Sequence, residues 1–146
     1  MELGKMTDIV RAKSLFTTGG YTCVLCKQET ILTSRTEGIA PLVRFISEAT
    51  GLQGYSAADK VVGKAAAMLY VLAGVRDVYA TVMSEEATKL FEGHQIGYSF
   101  ETLTPFITNR PGNDICPMDR LVRDIGNATE AFEAIREKVN QLSPPN

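Results

Sequence analysis

DKVVGKAAAMLYVLA, residues 59–73, decides how this 146-residue chain is read. The stretch is apolar almost all round, and Ala65, Ala66 and Ala67 allow neighbours to approach closely. The pattern therefore predicts a helix over 59–73, buried at the centre of the domain and ended by Gly74. Toward the C-terminus, apolar and β-branched residues predict a buried strand over 75–83 and a helix over 84–93 with Ser84 as its cap. A further strand over 98–108 is interrupted or ended near Pro105. Residues 109–115 are turn-rich, Pro117 suits the first turn of a helix, and 127–142 form a last amphipathic helix before the tail Ser143-Pro144-Pro145-Asn146. Toward the N-terminus, a loop running to Ser56 follows a helical stripe of Ile39, Leu42, Val43 and Ile46. Segments 21–28 and 30–34 read as a hairpin around the polar break at Lys27 to Glu29. Ile9, Val10, Ala12, Leu15 and Phe16 give a first helix over 8–17, stopped by Gly19 and Gly20. Helices and strands in alternation predict the α/β class.

Length and a hydrophobic share of 45% suit one domain over 1–146 with a single core. With 15 basic and 17 acidic side chains, the net charge of -2 gives no broad attraction for nucleic-acid phosphates or an anionic membrane, so neither is an expected partner. MELGKMTDIVRAKS has no apolar signal-peptide core, and the longest apolar-rich run, 61–74, is interrupted by Gly63 and Lys64. The expected setting is cytoplasmic. There, the odd set Cys23, Cys26 and Cys116 is expected to stay reduced.

Four ordered segments together resemble a prokaryotic domain-of-unknown-function family with a cytidine-deaminase-like fold: YTCVL (21–25), TSRTEGIAPL (33–42), ADKVVGKAAA (58–67) and NRPGNDICPMD (109–119). The resemblance spans nearly the whole chain. It implies a three-layer α-β-α sandwich around a mixed central sheet, and it implies that fold without implying an activity.

A zinc deaminase places a His or Cys ligand beside a Glu proton shuttle at one helix start and two Cys ligands at the next. Here the corresponding starts read Ala58-Asp59-Lys60-Val61 and Met83-Ser84-Glu85-Glu86, so the ligand set is absent. Neither a metal, nor a cofactor, nor zinc-dependent deamination is expected. His94, the single histidine, lies beside Gly93 at a helix end and reads as a surface residue. Cys23 and Cys26 have C-x-x-C spacing, but strand side chains alternate, so residues three apart point to opposite faces and ordinary packing is the preferred reading. Metal or redox use would need this segment to be a turn.

Ligands of open α/β sheets settle beyond the carboxyl ends of the strands, among helix starts. Three starts stand out. In the first, Asp59 and Lys60 precede Lys64; on a helix, i and i+4 share a face, so the two lysines would act together on an anion. The alternative is an internal partner such as Asp59, Glu37 or Glu85. In the second, Ser84 either hydrogen-bonds a ligand or simply caps the helix whose first turn holds Glu85 and Glu86. The third runs from Asn109 and Arg110 to Cys116-Pro117-Met118-Asp119. Cys116 at a helix start gains thiolate character and Arg110 suits an anion, unless the cysteine is buried and Asn109-Arg110 brace the loop. Thr33, Ser34 and Arg35 either add to the same mouth or form a turn.

Three functions follow. The first is a binding or catalytic domain that holds a small polar or anionic ligand, nucleotide-like or phosphorylated, on Lys60, Lys64, Ser84 and Arg110 without zinc. The second is a noncatalytic module with a closed site that self-associates or binds a partner. The third is a thiol-dependent enzyme using Cys116.

Overall fold

The computed structural model describes residues 7–48, 51–109 and 111–142. Among them the chain runs α1 (Asp8–Gly19), β1 (Cys23–Lys27), β2 (Thr30–Ser34), α2 (Ala40–Glu48) and β3 (Ser56–Val62). It continues through α3 (Lys64–Ala73), β4 (Asp77–Ser84), α4 (Glu85–Gly93), β5 (Gly97–Thr104), α5 (Pro117–Leu121) and α6 (Ala128–Leu142). The strands form one sheet in the order β2-β1-β3-β4-β5. β1 lies antiparallel to both β2 and β3, whereas β3, β4 and β5 are parallel. Parallel neighbours need crossovers, and α3 and α4 provide them.

The predicted helix over 59–73 is two elements. Residues through Val62 belong to β3, and the helix starts only at Lys64, after Gly63 with extended backbone (φ -101, ψ -164). The physical reason is β3's position between β1 and β4 with both faces covered. Ala57 and Ala58 are fully buried on opposite faces. A strand buried on both sides shows no polar alternation and cannot be told from a buried helix by periodicity. Lys60 therefore stands on a strand and Lys64 opens a helix, so they share no helical face.

The other elements fall where the patterns place them. Gln28 and Glu29 turn the β1–β2 hairpin, and the Gln28 amide donates to Asp8 Oδ1 at 3.0 Å, tying the turn to the start of α1. Gly74 caps α3 in the left-handed conformation (φ 75). β5 ends at Thr104, immediately before Pro105.

Among the described helices, α1 covers one face of the sheet, over a small core of Ala12, Val24, Cys26, Ala58 and Tyr79. The opposite face carries the larger core, where Leu25, Leu69, Tyr70, Val78 and Phe91 pack beneath α2, α3, α4 and α6. The result is an α/β sandwich with a mixed sheet between helical layers. No described helix is long and apolar enough to cross a membrane.

Candidate functional site

At the C-terminal end of β3 the sheet opens into a cavity of about 510 Å3. β3 and the start of α3 form one side, the approach to α2 another, and segments 107–109 and 116–119 with the end of α6 close it. Ile39, Leu42, Ala66, Ile107, Met118 and Val139 make most of the wall apolar. This is where a parallel strand hands over to its crossover helix, the position at which α/β sheets offer a crevice.

Asp59 forms the polar floor. Strand alternation turns it to the same face as Ala57, toward α3. The Tyr70 hydroxyl donates to its Oδ2 at 2.6 Å and the Lys60 amide to its Oδ1 at 2.8 Å. Burial pushes the Asp59 carboxyl up to about 6, and these hydrogen bonds hold it back only in part. Behind it, the Tyr70 hydroxyl and Cys23 Sγ lie 3.6 Å apart, and burial raises both the phenol and the thiol. Around pH 6, Asp59 would take up or release a proton while Tyr70 and Cys23 stay neutral, a property that proton-transfer groups need.

A second carboxylate, Asp119 of α5, closes the start of α3. The Ala65 amide donates to Asp119 Oδ1 at 2.9 Å, and the Lys64 amide also faces this carboxyl. Burial raises this carboxyl as well, while the two amides oppose the shift. Gly63 makes the approach possible: a Cβ there would stand 2.1 Å from Asp119 Oδ2 and 2.8 Å from Ile107 Cγ1. Two of the free amides of the α3 N-terminus, a natural anion site, are thus turned to the protein's own carboxylate.

Of the residues singled out from sequence, Asp59, Lys60, Asn109 and Cys116 come together around this cavity. Lys60 holds Glu37 at the rim, Nζ to Oε2 3.1 Å, the internal partner foreseen as the alternative to a ligand. Asn109 lines the wall, but its Oδ1 accepts from the amides of Gly112 and Asn113 at 3.0 and 3.1 Å, so its side chain braces the loop. Cys116 is half-buried at the position preceding α5.

Lys64 and Ser84 lie elsewhere. Lys64 donates to the Arg123 carbonyl at 2.7 Å and lines a shallow groove with Glu86, Lys89 and Leu90. Ser84 is buried and accepts from the Ala87 amide at 3.2 Å, which is capping. Arg110 lies outside the described residues. Ser34 forms a turn by accepting from the Thr36 amide, and Arg35 stacks over Tyr21 at 4.3 Å, so neither reaches the cavity. Cys23 and Cys26 are buried on opposite faces of β1, and His94 is exposed at the end of α4. Among the described residues no three His, Cys, Asp or Glu side chains converge as metal ligands would.

Sequence reasoning assigned no role to Tyr70 or Asp119. Tyr70 looks like one more apolar position of α3. Asp119 had one available signal: a helix opening Gly63-Lys64-Ala65 has no local capping side chain and needs one from a distance.

A family model described as "Domain of unknown function (DUF1893)" matches residues 11–139. Among solved structures, the chain is similar to the crystal structure of a DUF1893 family protein, TM1506, from Thermotoga maritima. The identity is 25% over 92% of each chain, with a TM-score of 0.83. No curated protein matches.

Proposed function

Because the chain belongs to the DUF1893 family, a domain of unknown function, its role has to be read from its own site, and we propose that it binds a small polar molecule in the cavity over Asp59. One observation carries this reading: the Asp59 carboxyl, pushed up to about 6 by burial and held by Tyr70 and the Lys60 amide, forms the floor of a cavity of about 510 Å3 with largely apolar walls. Apolar enclosure with a few convergent polar groups is how small-molecule sites are built, and the volume suits a nucleoside-sized ligand.

The same proposal treats residues 1–146 as one domain with a cytidine-deaminase-like fold. Its support is the mixed sheet with adjacent β3–α3 and β4–α4 units, whose starts bring Lys64 and Glu86 to one groove. Where zinc deaminases carry ligands, these starts read Gly63-Lys64-Ala65 and Ser84-Glu85-Glu86, so binding is taken to be independent of zinc. A cytoplasmic setting that keeps Cys23, Cys26 and Cys116 as thiols completes the reading.

The test is a thermal-shift screen of nucleosides, nucleotides and sugar phosphates. A ligand at 100 times its Kd stabilises by about 2.7 kcal/mol, a clear rise in Tm. The rise should vanish in Asp59→Asn and in Ile39→Trp, which fills the cavity mouth. If no compound stabilises the protein, or if the rise survives both substitutions, the proposal fails. Phosphorylated compounds test the anionic version, for which Lys60 is the cavity cation among the described residues.

A second reading, self-association, is favoured by β5. It is an edge strand, with Phe100, Leu103 and Phe106 exposed on and beside it. Sedimentation velocity should then show a concentration-dependent dimer that Leu103→Lys dissolves. The thiol-enzyme reading of Cys116 predicts iodoacetamide labelling faster than that of an ordinary thiol at neutral pH.

A further inference from the structure

Most polar groups that face the cavity are spoken for; beside the Thr108 hydroxyl and the Cys116 thiol, which line it, the charged groups that remain have one character. On the floor, Tyr70 spends its hydrogen on Asp59. Thr22 donates its hydroxyl to the carbonyls of Thr36 and Ser34, at 2.7 and 3.1 Å. The Asn109 side chain is bound into its own loop. The amides at the α3 start point at Asp119. Lys60 stands at the rim and is paired with Glu37. Among the described residues, the charged groups left to meet a ligand deep in the cavity are therefore the carboxylates Asp59 and Asp119, which accept hydrogen bonds and offer none when ionised.

A phosphate or carboxylate placed on that floor would face like charge at short range, with the cation of the cavity, Lys60, held away at the rim by Glu37. A group rich in N–H donors would meet the opposite: an acceptor with lone pairs to spare, between largely apolar walls that favour a charge-assisted hydrogen bond. The apolar wall, from Ile39 and Leu42 across to Ile107 and Met118, suits a flat hydrocarbon or heteroaromatic body behind that head group.

Resting on the proposal that this cavity is a ligand site, we infer that its ligand presents an N–H-rich, neutral-to-cationic head of the amidine or amine class to Asp59, with an apolar ring against the wall. A phosphate or carboxylate head does not enter the floor. Any acidic group on the ligand stays outside, by Lys60.

The test is calorimetric titration of the full chain at pH 7.5 and low salt with two probes of one shape and opposite charge, benzamidine and benzoate. Benzamidine should bind at least tenfold more tightly than benzoate. Asp59→Asn should weaken benzamidine at least tenfold, whereas Ser84→Ala, away from the cavity, should leave it unchanged. The probe ratio is measured on the unsubstituted protein, so it decides even if Asp59→Asn fails to fold. Benzoate or inorganic phosphate binding as well as benzamidine overturns the inference, as does benzamidine affinity that ignores a folded Asp59→Asn. If nucleotides or sugar phosphates stabilise the protein through the cavity while benzamidine does not bind, this inference falls and the cavity proposal stands. If no compound of either set binds, both fall.

Discussion

Two adjacent helices, α3 and α4, follow parallel strands and begin in opposite ways. α4 is capped from within: Ser84 receives the Ala87 amide, and Glu85 and Glu86 place negative charge in the first turn, where the helix dipole favours it. α3 brings nothing of its own. Gly63 has no side chain, Lys64 sets a positive charge at the positive end, and the cap is Asp119, supplied by α5. A locally capped helix start is a closed unit. A start capped from a distance is a joint, holding segment 116–119 against β3 and α3 and so forming a wall of the cavity.

The difference is broken most severely at Gly63. Its φ of -101 suits any residue, so the demand for glycine is steric alone. In Gly63→Ala the methyl would overlap Asp119 Oδ2 and crowd Ile107 Cγ1. Overpacking costs about 1–3 kcal/mol, and loss of the cap about 0.5–2 more, so the expected destabilisation is about 2–5 kcal/mol by urea unfolding. A cost under about 1 kcal/mol would show that Asp119 moves aside freely and that the joint is loose.

The two cavity carboxylates sharpen the same contrast. Asp119 aims its charge at amides, while Asp59 aims part of its own at the cavity. The fold raises Asp59 to about 6, above an ordinary unfolded value of about 3.9, so the native state favours its protonated form. Its contribution is complete below the unfolded value and is lost as pH rises through 6. Relative to Asp59→Asn, unfolding free energy should therefore fall by about 2–3 kcal/mol between pH 4 and pH 8. Tyr70 and Cys23, which face Asp59, are both raised and stay neutral across that window, and Asp119 shifts in the same direction, so the difference between the two proteins isolates Asp59. Parallel pH profiles would refute a raised Asp59.

Removing the remote cap tests the joint directly. Asp119→Ala leaves the Ala65 amide without its acceptor but also removes a half-buried charge, for a net loss of about 1–2 kcal/mol. In that background Gly63→Ala should cost clearly less than alone, because the clashing oxygen is gone. A double-mutant cycle with no coupling would deny that the two positions meet.

What could be read without coordinates divides along the same line. The start of α4, the hairpin, Gly74 and the last helix were legible because each is written in residues a few positions apart. The boundary between β3 and α3 was not. Ala57, Ala58 and Val62 are buried because other strands and helices cover them, and a doubly covered strand carries no periodic mark. The candidate site was half legible. Asp59, Lys60, Asn109 and Cys116 stood out as polar groups or a thiol at element ends, whereas Lys64 was joined to Lys60 by a helical spacing that does not exist. Tyr70 and Asp119 act across 11 and 54 residues, and Asp119 left only the trace of an uncapped helix start.

The smallest expected effect completes the contrast. Ser84→Ala removes one cap hydrogen bond and leaves the Ala87 amide, buried at the start of α4, without its side-chain acceptor, a loss of about 1 kcal/mol. In a domain of this size that lowers Tm by about 3–5 °C. Ser84 lies outside the cavity and caps only its own helix, so the loss should be purely one of stability: cavity affinities unchanged, and no coupling to Gly63. Asp119→Ala costs a similar energy but removes a cavity wall, so it should change ligand affinity as well as stability. If instead Ser84→Ala altered cavity binding as Asp119→Ala does, the two starts would be one connected structure, and local capping would no longer mark α4 as separate from the site.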